Sequence, residues 1–121
     1  MEATEFEQLV VEALDQLPSV FSPFLAQVEI TVERRPTREH RRMLALKPWQ
    51  TIYGLYEGVP LTERSSDSFH SPDLIVIFRE PLERDFRTLS ALRAEVQRTV
   101  LHEIAHVFGI SDERLRELGA Y

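Results

Sequence analysis

Apolar residues recur at helical spacing early in the chain and predict an amphipathic helix there. Thr4 is the predicted N-cap, with Glu7 closing a capping box. Pro18 ends the helix because proline lacks the amide proton that a helix interior needs. Phe21 and Phe24 follow in a turn-rich connector and are expected core residues. The predicted buried stripe of this helix consists of Phe6, Leu9, Val10, Ala13 and Leu17.

Three further segments have the patterns of β-strands. Residues 28–33 alternate between apolar and polar side chains, which predicts a half-buried strand. Residues 51–58 are rich in β-forming side chains and contain two glycines, which are typical of a bulge, an edge or a close backbone approach. Residues 73–78 are almost entirely apolar, as in a central strand that is buried on both faces. The polar residues 62–72 between these strands predict a surface loop.

A second and longer helix is predicted from near Thr88 or Ser90 to about Phe108, where Gly109 ends it. Ser111 can cap a short last helix. The order of elements predicts an α+β domain with a small mixed sheet, an N-terminal helix, a long helix and a short C-terminal helix. Its length of 121 residues suits a single domain over 1–121. The apolar positions predicted for the buried side of the long helix are Leu89, Leu92, Val96, Val100 and Val107.

Composition removes several classes of protein. The chain has no cysteine, which excludes disulfides, cysteine nucleophiles and thiolate metal sites. Its longest purely apolar run, Leu74 to Phe78, is far shorter than the roughly 20 residues that a membrane helix needs. The first residues lack the features of a secretory signal. We therefore expect a cytoplasmic protein without a membrane partner.

The charge is unevenly distributed. The whole chain carries −6, but residues 34–47 carry +5, with six basic side chains against Glu39, so the remainder carries −11. The overall acidity counts against nucleic acid as a partner. The basic segment is either a solvated face or a clamp for an acidic peptide or a phosphate backbone.

The most informative residues lie at the end of the long predicted helix. His102 and His106 are one turn apart on one face, so both imidazoles can bind one Zn²⁺. Glu103 projects about 100° away around the helix, beside the metal, where a general base belongs. Gly109 permits a sharp turn, after which Asp112 can supply a third, oxygen ligand. Three protein ligands and one water are typical of a catalytic zinc rather than a structural one.

With this spacing, His102, Glu103, His106, Gly109 and Asp112 resemble the extended zinc motif of the zincin metallopeptidases, in the variant with aspartate as third ligand. The short chain and the segment 54–61 add a resemblance to the minimal bacterial zincin-like metallopeptidases, or minizincins. The resemblance covers about residues 6–118. It implies a zincin-like core, one Zn²⁺ on the two histidines and the aspartate, and Glu103 as base and proton shuttle.

The predicted function is a zinc-dependent hydrolase, in which a metal-activated water attacks a peptide carbonyl with Glu103 as general base. In zincins an edge strand pairs with the extended peptide or protein substrate. The predicted edge here has a plainer alternative, a short hairpin strand without a binding role. Its residues are Tyr53, Gly54, Leu55, Tyr56, Glu57 and Gly58.

Several other side chains are open alternatives. His40 and His70 are expected to be solvated, although either could be a further ligand, and Glu113 could replace Asp112. The hydrolase also needs a donor that stabilises the oxyanion. The candidates are Tyr53, Tyr56, His70, Arg64 and Tyr121.

Two rival functions remain open. The sequence offers neither a methionine turn after Asp112 nor a second lobe beside the site, which favours a zinc-binding regulatory or interaction module with little or no proteolytic activity. The second rival is a small metal-dependent ribonuclease, in which the basic segment 34–47 would track the RNA backbone.

Overall fold

The computed structural model describes residues 1–58 and 73–119. The predicted loop 62–72 and three candidate oxyanion donors, Arg64, His70 and Tyr121, lie outside these residues. No helix within the described ranges is both long and apolar enough to cross a membrane.

The described residues form six α-helices and one sheet, which confirms the α+β class. A single 3₁₀ turn, Ser19–Phe21, precedes the second helix. The strands are β1 (Val28–Glu33), β2 (Gly54–Glu57) and β3 (Asp73–Phe78). The helices are α1 (Ala3–Asp15), α2 (Ser22–Leu25), α3 (Arg38–Met43), α4 (Arg79–Asp85), α5 (Leu89–Phe108) and α6 (Asp112–Glu117).

The sheet is mixed and has the order β1-β3-β2. β1 runs parallel to β3, whereas β2 is antiparallel to it. The central position of β3 explains its apolar sequence, because β3 has a neighbouring strand on each side and its residues from Ile75 to Phe78 are fully buried. β2 lies at the edge of the sheet, as predicted.

The core lies between the sheet and the two long helices, α1 and α5. Phe6 and Ala13 of α1 and Val96, Val100 and Ile104 of α5 belong to one buried cluster with Ile75 and Ile77 of β3. A second buried cluster joins the C-terminal half of α5 to the 3₁₀ turn and α6, and it contains Phe21, Leu101, Ala105 and Leu115.

Three local predictions were wrong. α1 begins one residue before Thr4, with Glu2 as N-cap, and no side chain caps it. Leu89 is 58% exposed because it is the first residue of α5, beyond the end of the core. The helices α3 and α4 were not predicted, since each is under two turns long and too short for a clear apolar period.

β2 packs unusually closely on α5 at Gly54. A β-carbon at this position would lie 2.5 Å from Cγ2 of Thr99 and 3.1 Å from the carbonyl oxygen of Val76. Only a residue without a side chain fits between the helix and the neighbouring strand. Gly54 therefore fixes the distance between the edge strand and α5.

We expect Gly54→Ala to lower the free energy of unfolding by about 1–3 kcal/mol, as overpacking does elsewhere. Thr99→Ser removes the nearer of the two obstructing atoms, so the penalty should be smaller in that background. Chemical denaturation of the four proteins of this cycle measures the coupling.

Gly109→Ala is the control for this cycle. It has no atom within 4 Å of its β-carbon and costs only its left-handed backbone conformation, about 1 kcal/mol. The free-energy cost of Gly109→Ala should be the same in the wild-type background and in the Thr99→Ser background. Equal penalties for Gly54→Ala in both backgrounds would contradict the steric account.

Candidate active site

α5 presents both predicted histidine ligands to solvent. Its residues Ile104, Ala105 and Val107 are buried, and this sets the rotation of the last turns of the helix. His102 and His106 are exposed as a result, four residues apart along one face. The structure thus places the two imidazoles as the sequence predicts.

Glu103 lies on the side of α5 that faces the edge strand and is half-buried. Its carboxylate accepts a hydrogen bond from the backbone N–H of Tyr56 in β2. Burial raises the pKa of Glu103 above its usual value, and the charges of His106 and His102 and the hydrogen bond from Tyr56 oppose that rise. A carboxylate that is held in place and partly desolvated is suited to act as a general base.

The turn after α5 leads to the third predicted ligand. Gly109 has φ 67°, the left-handed conformation of a helix C-cap, and the N–H of Ile110 donates to the carbonyl of Ala105 at 2.9 Å. Ser111 then caps α6 through the N–H of Arg114. Asp112 is exposed as the first residue of α6.

The structure does not gather these side chains into one group. Among residues 1–58 and 73–119, no three His, Asp or Glu side chains are close enough to hold a metal ion. The chemistry of the donors still fits Zn²⁺, because two exposed imidazoles share one helix face and an exposed carboxylate follows the glycine turn. The ligand set of His102, His106 and Asp112 stays a prediction.

The backbone groups of β2 alternate between the side of β3 and the outer side of the strand. The N–H of Phe78 donates to the carbonyl of Tyr53, so Tyr53 faces β3. Because the direction of backbone groups alternates along an antiparallel strand, Gly54 and Tyr56 turn their N–H and C=O groups away from β3. On the outer side, the N–H of Tyr56 donates to Glu103, and the N–H and C=O of Gly54 have the direction that an added strand requires.

A cleft of about 230 Å³ separates β2 from the exposed face of α5. Tyr53 and Gly54 line one side, and His102 and Glu103 line the other. The cleft thus brings the predicted base and one predicted ligand beside the predicted substrate strand.

Arg98 and Glu95 also line this cleft, and the sequence analysis missed both. Arg98 precedes His102 by one helical turn, and its guanidinium donates to the Glu95 carboxylate at 2.6 Å. Glu95 is itself buried. The i−4 spacing from His102 was the signal that could have identified Arg98, because it places a cation on the same helix face.

Both described tyrosines that were proposed as oxyanion donors already donate their hydroxyl hydrogens to carboxylates. The Tyr53 hydroxyl donates to Asp85 at 2.6 Å, and the Tyr56 hydroxyl donates to Asp73 at 2.5 Å. The hydrogen bond to Asp85, together with burial and the nearby carboxylate charges, raises the pKa of Tyr53 to about 12. Both hydroxyls anchor the edge strand in this structure.

His40 is buried rather than solvated, with only 8% of its surface exposed. Its Nδ1 accepts from the N–H of Thr37 at 3.1 Å, so in the neutral ring Nε2 carries the proton and donates to Glu57 at 2.8 Å. The ring also packs edge-on against Phe78. The expectation of a solvated His40 was wrong because its helix, α3, packs this residue against the end of the sheet.

We expect Tyr53 to ionise with a pKa of about 12, because its hydroxyl donates a hydrogen bond to the Asp85 carboxylate, whose charge also opposes a second negative charge. Asp85→Asn should lower that pKa towards about 10. The stability from this contact is present below about pH 10 and is lost as the pH rises through about 12. Ultraviolet absorbance of tyrosinate follows the titration.

Tyr53→Phe identifies which step of that titration belongs to Tyr53, and far-ultraviolet circular dichroism checks that the protein remains folded. If the absorbance step of Tyr53 occurs at the same pH in Asp85→Asn as in the wild type, the Asp85 carboxylate does not control the pKa of Tyr53.

Comparison with known proteins identifies the family of the chain. A search of curated proteins gave no match for the chain. The family model described as zincin-like metallopeptidase matches residues 25–120, a range that includes the edge strand, α5 and α6. This match covers most of the chain, and the chain therefore belongs to the zincin-like metallopeptidase family.

Proposed function

We propose that this protein is a zinc-dependent peptidase whose catalytic base is Glu103. The observation that carries the proposal is the placement of Glu103, half-buried next to two exposed histidines and hydrogen-bonded to the edge strand. The base, one predicted metal donor, His102, and the residues of the edge strand thus line one cleft. Membership of the zincin-like metallopeptidase family supports a peptide bond as the target.

His102 and His106 would supply imidazole ligands to the metal, and Asp112 would supply a carboxylate. When bound, Zn²⁺ provides a Lewis acid and makes an adjacent water more acidic. The protein's own part is to hold the histidine pair on a rigid helix and to keep the base close by.

Glu103 would take a proton from the attacking water and pass it to the nitrogen of the leaving amine. Its partial burial favours this role, because a desolvated carboxylate holds a proton more readily than a solvated one. The hydrogen bond from the Tyr56 N–H keeps the carboxylate oriented along the edge strand.

The substrate would lie along β2 as an added strand, hydrogen-bonded to the outward N–H and C=O of Gly54. The closeness of Gly54 to α5 brings such a strand near His102 and Glu103. Arg98 lines the same cleft and is the described side chain best suited to contact a substrate carbonyl there.

Peptide-library cleavage by the zinc-loaded wild-type protein and by Glu103→Gln tests the proposal. Loss of a positioned general base should lower kcat/KM by about 100-fold or more. Elemental analysis should show that Glu103→Gln still holds zinc, because Glu103 is the proposed base and not a ligand. Glu117→Gln, on the exposed surface of α6, is the matched control and should retain full activity.

If the wild type and Glu103→Gln both hold zinc and are equally inert, the peptidase proposal fails. A metal-binding role without proteolysis, as in a regulatory or interaction module, would then replace it.

Zinc should raise the melting temperature of the wild-type protein, because a ligand that binds only the folded state stabilises it. The shift should be smaller in Asp112→Ala if the carboxylate is the third ligand. Differential scanning calorimetry with zinc and with a chelator measures both. The same zinc shift in both proteins would exclude Asp112, and Glu113→Ala then tests the neighbouring carboxylate.

A further inference from the structure

A second and larger cavity lies on the far side of the residues that lead into β2. It has a volume of about 790 Å³ and runs between α3, the segment 48–51 and the start of α4. We call it the basic groove, because its lining includes Arg35, Arg38, Arg41 and Arg84 but only one acidic residue, Glu80.

The single carboxylate of the basic groove is already neutralised. Glu80 forms an ion pair with Arg34, and the hydrogen bond from that guanidinium lowers the pKa of Glu80 below its usual value. Arg84 is likewise paired, with Asp85 at 2.9 Å. The positive charge that remains in the groove belongs to the other three arginines.

Arg35 and Arg38 are exposed, and neither makes a side-chain hydrogen bond or an ion pair with any residue of 1–58 or 73–119. Arg41 has a different role, because its guanidinium donates to the carbonyls of Lys47 and Pro48 and so fixes the opposite wall. The groove therefore has, on one wall, two guanidinium groups without a hydrogen bond or ion pair to the described residues, and a third arginine fixes the opposite wall.

Trp49 lines the same groove and is 77% exposed. An exposed tryptophan leaves a large apolar surface in water, and such residues are enriched at binding sites. The ammonium of Lys47 lies 5.4 Å from the centre of its ring. The aromatic face and the neighbouring cations together suit a ligand with both an apolar stem and a negative charge.

The basic groove and the cleft of the candidate active site are lined by adjacent segments of the chain. Residues 48–51 line the groove, and the next three residues along the chain, 52–54, line the cleft. Side-chain contacts also link the linings of the two cavities. Arg84 forms an ion pair with Asp85, and Asp85 accepts a hydrogen bond from the hydroxyl of Tyr53. A strand added to β2 and extended past Gly54 would therefore enter the groove.

We propose that the basic groove binds an acidic segment of a peptide, with Arg35 and Arg38 contacting its carboxylates and Trp49 packing against its chain. The position beside the cleft makes this segment part of a substrate, which rests on the proposed function. The substrate class is then a peptide with glutamate or aspartate residues a few positions from the cleaved bond.

An acidic peptide suits the groove better than a nucleic acid does. The basic residues are confined to one segment of a chain whose remainder carries −11, so a long polyanion would meet repulsion outside the groove. A short acidic segment can lie within the groove and continue as a strand along β2. RNA is therefore the competing outcome of the test.

Trp49 is the only tryptophan of the chain, so its fluorescence reports on the groove directly. Hexaglutamate is titrated into the zinc-loaded full-length protein, with hexaglutamine as the uncharged control. We expect hexaglutamate to change the fluorescence saturably, with an affinity that falls as salt is added, and hexaglutamine to have no effect.

The double variant Arg35→Gln/Arg38→Gln should bind hexaglutamate about tenfold more weakly, because two exposed charge contacts are lost. Arg42→Gln/Arg87→Gln is the matched control, since it removes the same charge from two exposed arginines outside the groove lining. It should bind hexaglutamate as the wild type does.

A second measurement compares cleavage of peptides that carry three glutamates or three glutamines on either side of a cleaved sequence. On one side, glutamates should lower KM for the wild type, and Arg35→Gln/Arg38→Gln should remove that advantage. The two proposals fail separately. Hexaglutamate binding without cleavage of any peptide supports the groove and contradicts the peptidase, whereas cleavage without hexaglutamate binding overturns the groove and leaves the peptidase.

Two further results would also overturn the proposal. One is equal loss of hexaglutamate binding in the two double variants, which would indicate a general effect of net charge. The other is tighter binding of an oligouridylate than of hexaglutamate at the same salt concentration, which would assign the groove to RNA.

Discussion

The contact between Gly54 and Thr99 is the constraint on which the candidate active site depends. The edge strand can approach α5 only because Gly54 has no side chain at the point where a β-carbon would meet Thr99. Two residues further along β2, the N–H of Tyr56 reaches Glu103 on the next turn of the helix. A wider gap would leave the base without this hydrogen bond and would move the strand away from the histidines. The close approach of β2 to α5 therefore determines both the packing of the edge strand and the position of Glu103 beside it.

The core also determines which face of α5 is exposed to solvent. α5 buries Val100 and Ile104 against the sheet and Ala105 against α6, and this fixes the rotation of the helix about its axis. Once these residues point inward, the geometry of a helix sends His102 and His106 outward. A site on a long packed helix is also more rigid than one on a loop, which suits ligands that must keep a fixed separation.

The sequence predicted the parts of the molecule whose signals are local. The bounds of β1 and β3 were predicted correctly, as were the start of α5 near Thr88, the Ser111 cap and the glycine that ends α5. Periodicity and capping chemistry are written into neighbouring residues, so one sequence is enough to identify them.

The features that the sequence did not predict depend on residues far apart in the chain. His40 looked solvated among arginines, but its burial requires Glu57 and Phe78 from the sheet. Arg98 is a candidate substrate contact only because β2 forms the other side of the cleft that Arg98 lines. The predicted ligand set raises the same difficulty, because the approach of Asp112 to the histidines depends on the path of the chain through Gly109. Within the described residues, that path does not bring the three side chains together.

The edge strand also links the two cavities mechanically. β2 has only four residues, so its few backbone pairs with β3 give it limited support. Polar side chains tie it down at both ends: Tyr53 to Asp85 of α4 before the strand begins, and Glu57 to His40 of α3 at its last residue. These two helices also carry Arg38, Arg41 and Arg84 of the basic groove. A ligand that drew α3 and α4 together in the groove would therefore act on both anchors of the strand that lies beside Glu103.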